Sequence, residues 1–256
     1  MGKYIRYKLA KEKIKDIEHR PEKFVLIHCA TSSIFEISYA NISCISLMHI
    51  ENKERIQFSL GSYPYIENLE EKELKLLTDF FEYVKSLKEY RTFIHWNMNS
   101  QYYGFAAIEM RYNLLSQKTD KIVREIKKMD LDDLLSNIYS DQYVDNQKMY
   151  NLYTLNNLQI NNFSHGKKDA TLYENGDWYN IEKSSRAKVD FIYQVLELTT
   201  QNKLKVQNKF LNARILFTDK ILYFVRETIL GRFTFWLLVT ILGAFIGSIF
   251  DHFLFS

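Results

Sequence analysis

Two clusters of side chains in this chain combine aromatic, amide and basic groups that could bind a ligand. In the first, His95, Trp96, Asn97 and Asn99 are followed by Tyr102, Tyr103 and Phe105. In the second, Lys183, Arg186 and Lys188 lead to Asp190, with Lys167 and Lys168 upstream. Aromatic faces stack on bases of any identity, while lysine and arginine neutralise phosphates. Histidine and asparagine add hydrogen bonds to base edges or sugars, and His28 in FVLIHCATS is a further candidate. For any one of these aromatics a place in the core comes ahead of a ligand face, and Phe105 and Ile108 are expected in the core. The cluster as a whole is expected to form a ligand groove.

Other chemistries lack their patterns. The six histidines are scattered, and no His–Cys or His–Glu pair has helical spacing for zinc. There is no glycine-rich phosphate loop and no Gly-x-Ser-x-Gly elbow. Arg91 and His95 enclose three residues, too few for the Arg…His spacing of HEPN ribonucleases. Cys29 and Cys44 lie in apolar, β-branched stretches, as buried thiols in a reducing compartment do. No cofactor and no metal are expected. A net charge of +3 means that a nucleic-acid surface must be a local patch.

The elements that must position these residues follow from periodicity. Phe24 to Ser32, Ile34 to Ile50 and Arg55 to Leu60 alternate or run apolar between polar breaks, which predicts a three-strand meander. From Leu69 to Leu87, Leu74, Leu77, Phe80, Phe81 and Val84 recur at helical spacing, with acids at the start and Lys85 and Lys88 at the end. A strand over Thr92 to Trp96 and a helix around Tyr103 to Leu115 come next. Asp120 to Ser140 and Ile138 to Leu158 read as mostly helical. Asn161 to Asn180 reads as a long loop. Ser184 to Leu198 reads as a helix capped by Ser184 or Ser185, with Val189, Ile192, Val195 and Leu196 on one face. The order predicts an α/β domain with a mixed sheet.

A different physics governs the carboxyl-terminal part. Phe233 to Phe250 is an eighteen-residue run without a charge, bounded by Arg232 and Asp251. With Phe253-Leu254-Phe255 it is long enough to cross a bilayer core of about 30 Å. Lys203, Lys205, Lys209, Arg214, Lys220, Arg226 and Arg232 precede it, so the positive-inside bias predicts a cytoplasmic N-terminal part. The start, MGKYIRYKLAKEKIK, has no apolar signal core. Residues 1–200 are expected to form the cytoplasmic ligand-binding domain, 201–232 a juxtamembrane amphipathic helix, and 233–256 the transmembrane helix. The expected partners therefore include membrane lipid. Gly243-x-x-x-Gly247, with Ser248 beside it, is a small-residue surface through which spans approach closely, so a homo-oligomer is expected. Thr240 and Ser248 would line a pore between such spans, with Asp251 or His252 at its far mouth.

The element order resembles the RNase H/DnaQ-like 3′-5′ exonuclease fold over roughly Lys23 to Leu198. Three strands, a helix rich in Leu and Phe, a strand ending in His95-x-Asn97, and a helix holding Glu109-x-Arg111-Tyr112 carry the resemblance. Enzymes of that family hold two metal ions about 4 Å apart with carboxylates. Here the first-strand Asp-x-Glu pattern falls on His28 and Ala30, the second pattern lacks its Asp, and the third keeps Asp190 in Ser185-x-Ala187-x-x-Asp190. The resemblance thus implies a catalytically dead exonuclease-like domain that binds a strand. The alternative is a tail-anchored, metal-dependent 3′-5′ exonuclease using His28, Glu36, His95, Glu109 and Asp190.

Joined to one span, this architecture resembles the membrane effectors of bacterial anti-phage systems, above all that of the Hailong system. What the resemblance implies is an antiviral defence protein in the bacterial inner membrane, single-pass with a cytoplasmic N-terminus. It further implies an oligomeric ion channel, a tetramer favoured, gated by a single-stranded DNA oligonucleotide. A partner nucleotidyltransferase would make that strand, with DNA inhibiting and its loss activating.

Overall fold

The computed structural model describes residues 2–32, 40–87, 91–100, 103–119, 121–124, 126–207 and 209–255. Tyr102 and Glu36, and the side chains of Lys167, Asp251 and His252, lie outside what it describes. Among the described residues a five-stranded sheet runs in the order β3-β2-β1-β4-β5. Its strands are β1 (Phe24–Thr31), β2 (Ile42–His49), β3 (Arg55–Ser59), β4 (Thr92–His95) and β5 (Lys127–Asp130). The first three form the antiparallel meander, while β4 pairs parallel to β1, and β5 parallel to β4. The sheet is mixed, in an α/β fold, as the sequence predicts.

Both faces of the sheet are covered, which is why β1 and β2 read as near-continuous apolar runs. On one face Val25, Ile27 and Cys29 pack with Phe80, Phe81 and Ile108, brought by α2 (Leu69–Ser86) and α3 (Phe105–Ser116). On the other, Phe24, Leu26, Ile94 and Trp96 pack with residues of α1 (Lys3–His19), α4 (Leu131–Tyr139) and α7 (Trp178–Thr200). The predicted helix α2 has Asn68 as its cap, accepting from the backbone N–H groups of Glu70 at 2.9 Å and Glu71 at 3.1 Å.

Three segments differ from the sequence reading. Within 120–140 the chain forms strand β5, whose Lys127 and Lys128 are exposed; an edge strand carries lysines without an apolar alternation to announce it. The stretch expected as a long loop contains α6 (Gly166–Glu174), held to the domain through its buried Asp169. Helix α7 starts at Trp178 on an Asp177 cap, so Ser184 and Ser185 are buried inside it rather than capping it. The charged start is itself a helix, α1, which turns Ala10, Ile14 and Ile17 into the core.

The remaining helices are α5 (Lys148–Leu155), α8 (Lys209–Glu227) and α9 (Ile229–Phe255). Among the described residues one helix is long and apolar enough to cross a membrane, over Ile229–Ile249, and it is almost wholly exposed. The helix begins before Arg232, one turn earlier than the uncharged run. Thr228 makes the break with α8: its hydroxyl donates to the Phe224 carbonyl at 2.7 Å and accepts from Gly231 N–H at 2.9 Å. A Cβ on Gly231 would collide with that same carbonyl, so glycine permits the tight junction. Gly243 and Gly247 face open space, with nothing within 4 Å of an added Cβ. The hydroxyl of Thr240 is satisfied by the Trp236 carbonyl at 3.0 Å, inside its own helix.

Candidate functional site

A cleft of about 1270 Å³ opens at the carboxyl ends of β1 and β4. From these adjacent parallel strands the chain departs in opposite directions along the sheet, toward β2 and toward β5. Open α/β sheets offer their ligand crevices at such a point. His28 through Ser32 line it from β1, Trp96, Asn97 and Tyr103 from the turn after β4, and Ser164, His165, Lys168, Asp169 and Lys188 from α6 and α7 and the segment before them.

The floor is a buried polar network. Asp169 accepts from the Ser184 hydroxyl at 2.6 Å and from Ser164 at 3.0 Å, and forms an ion pair with Lys188. Both charged residues are about 95 % buried or more, at 5 % and 4 % exposure, a placement tolerable only because each has the other and the carboxylate has hydroxyl donors. His28, also buried, is pushed well below the usual imidazole range by desolvation and then by the Lys188 ammonium. Its Nδ1 has no hydrogen-bond partner among the described residues.

A second network braces the wall. Asp132 accepts from Tyr143 at 2.6 Å, Lys148 at 2.8 Å and Asn97 at 3.0 Å. Asp130 caps α4 through Asp132 N–H at 3.0 Å, and accepts from Asn97 N–H at 3.1 Å and Asn99 at 2.7 Å. These bonds hold Asn97 in its left-handed conformation, φ 52°. The turn closes on Gly104, at φ 104°, where a Cβ would strike the Met98 carbonyl. Gly104→Ala is therefore expected to cost about 2–3 kcal/mol, through strain and a forced shift of this turn. Urea denaturation checks it.

The sequence-selected residues divide among three places. His28, Trp96, Asn97, Tyr103 and Lys188 meet in the cleft. His95 and Asn99 instead line a separate cavity of about 870 Å³ beneath α1. Adjacent residues of an extended chain face opposite sides, so Trp96 packs edge-on to Phe191 at 5.3 Å while His95 meets Phe105 at 5.5 Å. Lys183, Arg186 and Asp190 do not line the cleft: Lys183 lies over Tyr179, Arg186 donates to Gln57 at 2.7 Å, and Asp190 pairs with Arg55 at 2.7 Å. From α7 it is Lys188 that reaches the cleft, while Ser184, one helical turn earlier, donates to Asp169 of α6. Trp96, 6 % exposed, belongs to the core, and Tyr103 is tied by its hydroxyl to the Cys29 carbonyl at 2.9 Å. Cys29 and Cys44 are free, buried thiols, and burial pushes Cys44 up to about 12.

Asp132, Tyr143, Lys148, Tyr150, Phe163, Ser164, His165 and Asp169 were not singled out by sequence. They come from four separate segments, and no local spacing links them. The described residues of the exonuclease alternative lie apart as well: Glu109 accepts from Val123 N–H at 2.7 Å and Asp190 pairs with Arg55 of β3. Of the three carboxylates that line the cleft, Glu174 is exposed at the end of α6, and Asp132 and Asp169 each already hold a lysine. A divalent cation would have to displace an ammonium from either, so these residues do not fit a two-metal site.

The acid–base pair behind the wall gives the domain an unusual pH response. Burial pushes Asp130 up to about 6, and burial followed by the Lys128 charge pushes His95 down to about 4. The folded state then holds the Asp130 proton between roughly pH 3.8 and 6, which adds stability as pH falls. It refuses the His95 proton between roughly pH 6.5 and 4, which removes stability as pH falls. The two oppose. Asp130→Asn deletes only the first, so its stability deficit against the unaltered protein is expected to grow by about 1–2 kcal/mol from pH 7 to pH 4.5. Urea midpoints at the two pH values measure this, since pH-independent costs of the substitution cancel.

The fold is an α/β domain carrying one candidate membrane span. No family model matches the chain, and no curated protein matches it.

Proposed function

We propose that this chain is a membrane-anchored receptor for a single-stranded DNA oligonucleotide, and that the bound strand governs an oligomeric pore formed by its spans. The observation that carries the reading is the cleft itself, at the carboxyl ends of β1 and β4, where lysine ammonium groups neutralise Asp132 and Asp169 and His28 and Ala30 stand in place of metal ligands. The three-strand meander, helix, strand and helix that underlie the resemblance to DnaQ-like exonucleases are all present, which supports a strand-binding ancestry without its chemistry. Exposed Lys168 at the mouth is suited to phosphate.

The span is the single-pass anchor, with the domain on the cytoplasmic side of a bacterial inner membrane, and the small surface of Gly243, Gly247 and Ser248 packs sister spans, four in the favoured assembly. The strand is the product of a partner nucleotidyltransferase; DNA holds the pore closed and its loss opens it. Support for coupling comes from α1, which packs on α4 and α7 and at its other end meets α8. There Tyr4 N–H donates to Asp219 at 2.6 Å and the Tyr4 and Tyr223 rings lie 5.5 Å apart. A ligand that prefers one arrangement of the domain thus has a packed route to the juxtamembrane helix.

The test is to purify the full chain in detergent, measure anisotropy of a fluorescent single-stranded oligonucleotide across a salt series, and repeat with Lys168→Glu. Binding is expected to weaken in the variant and its salt slope to fall by about 0.7. A protein that binds no strand defeats the reading, and one that degrades strands in magnesium restores the exonuclease.

A further inference from the structure

The proposed strand needs an aromatic face, and the rings chosen from sequence do not offer one. Trp96 is wedged against Phe191, and Tyr103 is held to Cys29 by its hydroxyl. At the mouth of the cleft two other rings are in the open. Tyr150, on the first turn of α5, is 39 % exposed, and His165, directly before α6, is also exposed. Their centroids are 3.9 Å apart with 30° between the planes, so the two rings lie against one another at a tilt.

Behind them the stack continues inward. Tyr153 lies on Phe163 at 4.4 Å and 14°, and Phe163 meets Phe191 at 5.4 Å. The inner rings fix α5 and the segment before α6 against α7, and so fix the outer pair. Rigid, exposed aromatics at a cleft mouth lose little freedom on binding, which suits a stacking surface. Lys168 follows within a turn of His165, and Asn146 and Gln147 line the same mouth, in reach of a phosphate and of a base edge.

We infer that Tyr150 and His165 form the base-stacking platform of this cleft, taking one base of a single-stranded oligonucleotide on the outer face of the pair. The inference rests on the oligonucleotide reading above and assigns the residues that would realise it. Stacking on a base is tolerant of sequence, so the platform selects for a single strand over a duplex rather than for one base.

The experiment uses the full chain in detergent and a single-stranded oligodeoxynucleotide of mixed sequence carrying 2-aminopurine, whose fluorescence falls when it stacks. Tyr150→Ala is expected to weaken binding by roughly tenfold and to abolish the quench. Tyr150→Trp is expected to preserve both. Because Tyr150 is exposed, thermal unfolding of the alanine variant should match the unaltered protein, which separates loss of the platform from loss of fold. If the unaltered protein binds the strand and Tyr150→Ala binds it equally with the quench intact, the platform is refuted while the receptor reading stands. If the unaltered protein binds no strand, the receptor reading and the platform fall together.

Discussion

A chain truncated after Glu227 is expected to leave the membrane fraction entirely and to be recovered in the soluble fraction. From Phe233 to Ile249, α9 carries ten Leu, Ile, Val and Phe side chains and no charge, worth about 3–6 kcal/mol of insertion free energy on a translocon scale. Among the described residues little of this apolar surface is taken up by the rest of the chain, because the helix packs mainly on α8. The domain should survive the cut, since both sheet faces are closed by helices that precede residue 201. Leu238→Arg, at mid-helix, should reproduce part of the effect by adding about 2.5–3.5 kcal/mol to the cost of insertion. Fractionation against carbonate extraction distinguishes the outcomes: a truncated chain that still pellets with membranes would mean that α1 or the domain surface carries the attachment.

Arg111→Ala should be the most damaging single change in the domain, costing about 3–5 kcal/mol. Glu73 on α2 is 1 % exposed and Arg111 on α3 is 7 % exposed, joined by two parallel bonds of 2.9 and 2.8 Å. Glu73 also accepts from Ile42 N–H at 2.8 Å, which ties the first residue of β2 into the pair. Burial alone pushes the Glu73 carboxyl up, and the arginine opposes it. Removing the guanidinium strands a carboxylate between two helices and the sheet, and it must then take up a proton or draw in water. For a domain of this size the loss corresponds to a fall in melting temperature of roughly 10 °C. The double variant Glu73→Gln with Arg111→Met, which removes both charges and keeps the volume, should recover most of it. If the double variant is no better than Arg111→Ala, the pair's role is steric rather than electrostatic.

How far the sequence reveals the domain depends on how local each signal is. The meander and α2 were legible because their apolar positions repeat at periods of two and 3.6 within one segment. Strand β5 was not, because its pairing partner, β4, supplies its identity: Lys127 to Asp130 have no alternation of their own, and only the register against Thr92 to His95 makes them a strand. Helix α6 has no signal within its own segment for the same reason. Its polar sequence becomes helical where Asp169 meets Lys188 and Ser184, residues of another helix.

The candidate site shows the division most clearly. His28, Asn97 and Lys188 were identifiable by type, but their neighbours were chosen by proximity in sequence, which an alternating strand and a helix of 3.6 residues per turn do not respect. His95 and Trp96 are consecutive and so part to opposite sides of the sheet; Arg186 and Asp190 share a helix with Lys188 yet face Gln57 and Arg55. What sequence by itself determined was the long apolar helix, the mixed α/β sheet and the absence of paired carboxylates on the first strand, since each is written in residues that adjoin. Which side chains share the cleft, and that lysines neutralise its Asp132 and Asp169, only the tertiary structure decided, because contacts between distant segments depend on helix phase and strand register rather than on composition.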